Sequence, residues 1–105
     1  MDEELRRELA ATVAEYRAGL APRIAALEAL RGDLASGKAP AARVAELHRE
    51  LHSLTGSGRT FGLARVSEAA RAAEVFVEAT AGGPLDAAAW ERLKVLLQDL
   101  ALAVP

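Results

Sequence analysis

The chain has no cysteine among its 105 residues, which excludes a disulfide framework and any thiol chemistry. Aromatic residues make up only 4% although hydrophobic residues reach 51%, so the apolar surface is mostly Ala, Leu and Val. β-Branched residues are sparse, and the balance favours helix. There is no excess of positive charge: 13 basic residues face 15 acidic ones, a net of −2, and nothing in that balance points to nucleic acid. No apolar run approaches the roughly 18 residues of a membrane span. The N-terminal Met1-Asp2-Glu3-Glu4 is acidic, unlike a secretory signal. The length suits one domain over residues 1–105, large enough for a single core. The expectation is an all-α, cytoplasmic, single domain.

What is present is helical periodicity. Leu5, Leu9, Val13, Tyr16 and Leu20 recur at helical spacing, and Ile24, Leu27, Leu30 and Leu34 continue the stripe. Pro22 lies within it and predicts a kink or break. Ser36-Gly37-Lys38-Ala39-Pro40 reads as a connector, with Gly37 stopping one helix and Pro40 suiting the first turn of the next. Val44, Leu47, Leu51, Leu54 and Gly58 then follow the 3-4 spacing of a bundle seam, repeated by Leu63, Val66, Ala70, Ala73 and Val77. Ala81-Gly82-Gly83-Pro84 ends that stretch, and Trp90, Leu93, Leu97, Leu100 and Val104 form the last stripe. Short connections between such helices predict an up-down four-helix bundle, with an additional or kinked N-terminal helix capping it.

One stretch departs from plain packing. His52-Ser53-Leu54-Thr55-Gly56-Ser57-Gly58 places two glycines and small polar residues beside a histidine on an amphipathic helix, where each interior Gly costs about 1 kcal/mol relative to Ala. His52 follows the seam residue Leu51 by one position, about 100° off the buried stripe. His48, Thr55 and Arg59 share its flank, and Gly56, one turn along, presents no side chain to an approaching group. Gly58, on the seam, fits close helix–helix packing instead. Glu74 follows the seam residue Ala73 as His52 follows Leu51, so the two are expected to face each other across antiparallel helices. A carboxylate accepting from the inner ring N–H would fix the tautomer and leave the outer nitrogen a better nucleophile. An unperturbed imidazole, with a pKa of about 6.5, is mostly neutral near pH 7.

The spacing of His52, Leu54, Gly56, Phe61 and Gly62 resembles the signature of histidine-containing phosphotransfer (HPt) domains. Ser53 after the histidine and Thr60-Phe61-Gly62 are most similar to the phosphorylatable domain of chemotaxis-type histidine kinases. The resemblance implies that His52 is the phosphoacceptor, through Nε2, and that Glu74 orients its ring. It implies a phosphocarrier of a two-component or chemotaxis phosphorelay. Its partners would be a receiver domain, whose acidic pocket holds Mg²⁺, and a kinase ATP-binding domain. No cofactor is expected in the chain itself, nor catalytic activity of the domain alone, since no nucleotide-binding motif is present. The alternative is a degenerate HPt-like adaptor that binds a signalling partner without being phosphorylated. Its support is Thr55, which stands where such domains usually carry Lys and offers only a hydroxyl; in a phosphocarrier either Arg59 or Arg71 would substitute, or the phosphohistidine would be less supported electrostatically.

Between Lys38 and Arg71 six basic residues (Lys38, Arg43, Arg49, Arg59, Arg65, Arg71) outnumber three acidic ones (Glu46, Glu50, Glu68), a rim suited to steering an acidic partner. Two other readings of the histidine stretch fail. His48 and His52 stand at i and i+4, but the metalloprotease pattern needs Glu directly after the first His and no third ligand is near in sequence, so no metal is expected. Gly56-Ser57-Gly58-Arg59-Thr60 lacks the leading glycine and the lysine of a phosphate-binding P-loop, and it follows helix rather than strand.

Overall fold

In the computed structural model, which describes residues 2–80 and 83–105, Asp2 opens the first helix. Its carboxylate accepts the Leu5 N–H at 2.7 Å, and Glu3 and Glu4 sit in the first turn at the positive end of the helix dipole. This helix, α1, runs over Glu3–Ala35. Gly37, at φ 77°, ends it: the Lys38 N–H reaches back to the Asp33 carbonyl at 2.8 Å and the Gly37 N–H to Leu34 at 3.3 Å. A single 3-10 turn, Ala41–Arg43, leads into α2, Val44–Thr60. Helices α3 (Ala64–Glu78) and α4 (Ala87–Ala103) complete the chain, the latter capped by Asp86 accepting the Ala89 N–H at 2.8 Å. Ala81 and Gly82, part of the stop expected after the fourth stretch, lie outside the described residues.

The four-helix expectation holds, with one correction at its start. Pro22 does not break the chain into two helices; α1 continues through it for 33 residues. Proline forfeits the bond its own N–H would make to the Ala18 carbonyl, and its ring crowds that carbonyl; both Pro22 and Ala18 are exposed, so the carbonyl can turn to water. The N-terminal segment is thus an extension of α1 rather than a separate cap. At a rise of about 1.5 Å per residue, α1 accounts for the 52 Å long axis of the molecule. Its apolar stripe is buried only from Leu20 onward; Leu5 and Leu9 remain more than 40% exposed.

Helix α1 packs against α2 and α4, and α3 against α2 and α4, so the helices close a four-cornered bundle. Leu20, Ile24, Leu27, Leu47, Leu51, Leu54, Leu93, Leu97 and Leu100 fill it; each leucine buried contributes about 1.5–3 kcal/mol. The α2–α3 side uses small residues. Ala70 and Ala73 are fully buried on α3, and a Cβ on Gly58 would stand 3.0 Å from the Ser67 nitrogen and 3.3 Å from its Cα. The Ser67 hydroxyl donates to the Thr55 carbonyl at 2.6 Å, tying the two helices at the level of the site. Gly62, again at φ 77°, turns the chain after α2, with the Leu63 N–H on the Gly58 carbonyl at 2.7 Å. Phe61 stacks on Tyr16 of α1, ring centroids 4.3 Å apart, and the Tyr16 and Ser57 hydroxyls lie 2.6 Å apart.

The two glycines of α2 therefore differ in what they do. Gly58→Val should destabilise the fold by about 1–3 kcal/mol through overpacking against Ser67. Gly56 has nothing within 4 Å of a built Cβ, so Gly56→Ala should stabilise by up to about 1 kcal/mol from helix propensity. Urea unfolding followed by circular dichroism checks both, and equal effects at the two positions would contradict this packing.

Candidate functional site

Antiparallel packing of α2 and α3 sets the register of the site. His52 on α2 meets Glu74 on α3, and one turn back along α2 His48 meets Glu78, one turn on along α3. His52 Nδ1 lies 2.6 Å from Glu74 Oε2. The histidine side chain is 75% exposed and the glutamate 1%, so one wall of the ring is held by the protein and the other is open. Nε2 has no protein partner among the described residues. A carboxylate can only accept, so Nδ1 carries a proton, and in the neutral ring the free lone pair is then on Nε2.

Both carboxylate oxygens of Glu74 have partners. Oε2 takes His52; Oε1 lies 3.1 Å from the Arg71 guanidinium and 3.2 Å from the Thr55 hydroxyl. Burial pushes the carboxyl toward protonation, but hydrogen bonds from His52, Arg71 and Thr55, with the charge of His52, more than reverse it and hold Glu74 below its ordinary value. Among the described residues no buried side-chain polar atom lacks a partner. Glu74 is therefore an anion inside the helix interface, aimed at the inner face of an exposed imidazole.

Other residues expected here fall into two groups. Thr55 and Arg71 join His52 on Glu74. The Thr55 hydroxyl shares its hydrogen between Glu74 and the Leu51 carbonyl, 2.8 Å away, so it supports the carboxylate from below. Arg71 is 53% exposed, bridging Glu74 and, at 3.7 Å, Glu78. Gly56 is exposed beside His52 with open space in front of it. His48, 37% exposed, turns to α3, with Nε2 3.0 Å from Glu78 Oε1; its ring lies nearly parallel to that of His52, 6.4 Å away. Arg59 is not brought into this cluster: no hydrogen bond or ion pair joins it to His52, Thr55 or Glu74 among the described residues. Two contributors escaped the sequence reading, Ser67 and Glu78. Each is one position or one turn from a singled-out residue, and each required the α2–α3 register to be seen.

The model of the Hpt domain family matches residues 3–103. The chain belongs to the Hpt domain family. No curated protein and no solved structure showed a match. The match spans all four helices of this Hpt domain, well beyond the stretch from Val44 to Glu74 that carries the motif. Among the described residues, no helix of the domain is long and apolar enough to cross a membrane.

The depressed carboxyl of Glu74 has a consequence for stability. Its folded value lies below the ordinary 4.5, so its contribution is present above about pH 4.5 and is lost as pH falls through the folded value. The native domain should exceed Glu74→Gln in urea midpoint near neutral pH, and the gap should close under acid conditions where both still fold. A gap that persists undiminished in acid would contradict an ionised Glu74.

Proposed function

We propose that this domain is a phosphocarrier in which His52 Nε2 accepts a phosphoryl group and passes it to a receiver-domain aspartate. Membership of the Hpt family gives the coarser statement, a phosphotransfer role in two-component signalling, and Hpt domains work with receiver domains in such relays. The observation that carries the finer reading is a single one: a buried, ionised Glu74 stands 2.6 Å from Nδ1 while the rest of the ring faces solvent.

The chemistry follows from that pairing. The Nε2 lone pair attacks phosphorus in the donor, an aspartyl phosphate or the γ-phosphate of ATP on a kinase domain. The N–P bond forms as the P–O bond breaks, and the leaving oxygen departs with the electron pair. Nδ1 keeps its proton, so the phosphorylated ring becomes cationic, and the Glu74 charge offsets it across the hydrogen bond. On delivery a receiver carboxylate oxygen attacks phosphorus and the N–P electron pair returns to Nε2. The chain supplies nucleophile, ring orientation and a docking face; Mg²⁺ and the acidic pocket belong to the receiver.

Arg49, Arg59 and Arg65 are exposed and form no ion pair among the described residues; they would steer encounter more than hold the complex. The likeness of the motif to chemotaxis-type kinases supports a kinase ATP-binding domain as the donor. With Thr55 turned to Glu74, Arg71 is the cation held on the same carboxylate as the ring, and its exposed half can swing toward a phosphoryl group.

Incubation with a kinase core and ATP, or with a phosphorylated receiver, should give acid-labile label on the native domain and none on His52→Gln. His48→Gln should retain most of it; label on His48 instead would overturn the assignment, and no label from either donor would favour the adaptor. Arg71→Ala should lower the phosphorylated fraction at equilibrium with a receiver several-fold, the scale of an exposed pair at up to about 1 kcal/mol. Adding Thr55→Lys should restore it, and salt should shrink both effects. An equilibrium indifferent to both changes would show that no cation at these positions supports the phosphoryl group.

A further inference from the structure

The α2–α3 face beside the proposed phosphoacceptor holds a second convergence, in which Glu74 meets two groups, His48 and Glu78, that phosphoryl transfer does not use. His48 Nε2 lies 3.0 Å from Glu78 Oε1 and 3.8 Å from Glu74 Oε2. One donor atom from each residue fits within a span of 4.8 Å. Ligands of a tetrahedral ion bound at 2.0–2.2 Å stand roughly 3.3–3.6 Å apart, so small side-chain rotations close this triangle on a metal. His48 is 37% and Glu78 43% exposed, which leaves the position open to ions from solvent, while Glu74 gives it a rigid, buried floor.

We propose that His48, Glu74 and Glu78 form a binding site for a divalent first-row transition ion of the Zn²⁺ class. One imidazole and two carboxylates, with a position left for water, is a ligand set that Zn²⁺ takes readily, whereas Mg²⁺ prefers oxygen alone. The two carboxylates already draw a cation: the Arg71 guanidinium lies 3.1 Å from Glu74 Oε1 and 3.7 Å from Glu78 Oε1. Arg71 and the metal therefore compete for one pair of anions. Glu74 Oε2 is also the acceptor for the His52 Nδ1 proton. An ion drawing on that oxygen weakens its hold on the ring, so occupancy slows phosphoryl acceptance at His52. This last consequence rests on the phosphoacceptor reading; the binding itself does not.

Titration calorimetry of the full chain with Zn²⁺ alone, in chelator-treated buffer without phosphodonor, tests the site. We expect one ion bound per chain, with affinity reduced at least about tenfold in Glu78→Gln and in His48→Gln, the scale on which metal sites respond to loss of supporting groups. Circular dichroism checks that each variant is folded. Arg71→Ala should bind more tightly than the native chain, a gain that mere disruption of the network would not give. His52→Gln should bind at least as tightly as the native chain, because the ring no longer competes for Glu74 Oε2. Binding that is absent in the native chain, unchanged in Glu78→Gln or lost in His52→Gln would overturn the proposal, as would equal affinity for Mg²⁺. Labelling of His52 is measured separately in metal-free buffer, so failure of the phosphoacceptor reading and failure of the metal site give different results.

Discussion

The site depends on one buried negative charge. Glu74 is fully enclosed in the α2–α3 interface, where a carboxylate without partners would take up a proton rather than remain charged. Three donors from two helices prevent that: His52 and Thr55 from α2, Arg71 from α3. The same bonds that keep Glu74 ionised also fix the imidazole, so nucleophile and fold share a single interaction. Removing it would free the ring and unbalance the interface together.

That interaction requires the two helices to lie close and in one register. Gly58 admits the Ser67 backbone at a distance that any Cβ would crowd, and the Ser67 hydroxyl on the Thr55 carbonyl sets the height of α3 against α2. From there the two helices run in opposite directions, so that His52 meets Glu74 and, one turn further on, His48 meets Glu78. The two histidine pairs look alike but are chemically different. His52 presents Nδ1 to a carboxylate that is 1% exposed; His48 presents Nε2 to one that is 43% exposed. Only the first pair combines a buried, directed anion with an outward Nε2, which is why His52 is the proposed phosphoacceptor.

Much of this was legible in the chain. The seam residues Leu47, Leu51, Leu54 and Gly58 and their counterparts on α3 gave helix faces, and placing Glu74 one position past Ala73 gave its meeting with His52. Of the kink or break expected at Pro22, the break does not occur: the helix continues through it on an exposed surface, where the freed carbonyl can meet water. In the sequence Thr55 is legible only as the place of a missing lysine; its hydroxyl bonds Glu74, a direction that side-chain identity alone does not carry. Glu78 was invisible as a partner of His48 because the two are 30 residues apart and meet only once the register is set.

The central claim is that Glu74 holds the His52 proton on Nδ1 and leaves Nε2 as the free nucleophile. Long-range ¹H–¹⁵N correlation spectra of the imidazole, recorded at a pH where the ring is neutral, measure the tautomer directly. The account predicts an Nδ1–H ring with an unprotonated Nε2 for His52 in the native domain, lost as the dominant form in Glu74→Gln. An Nε2–H tautomer for His52 in the native domain would contradict it.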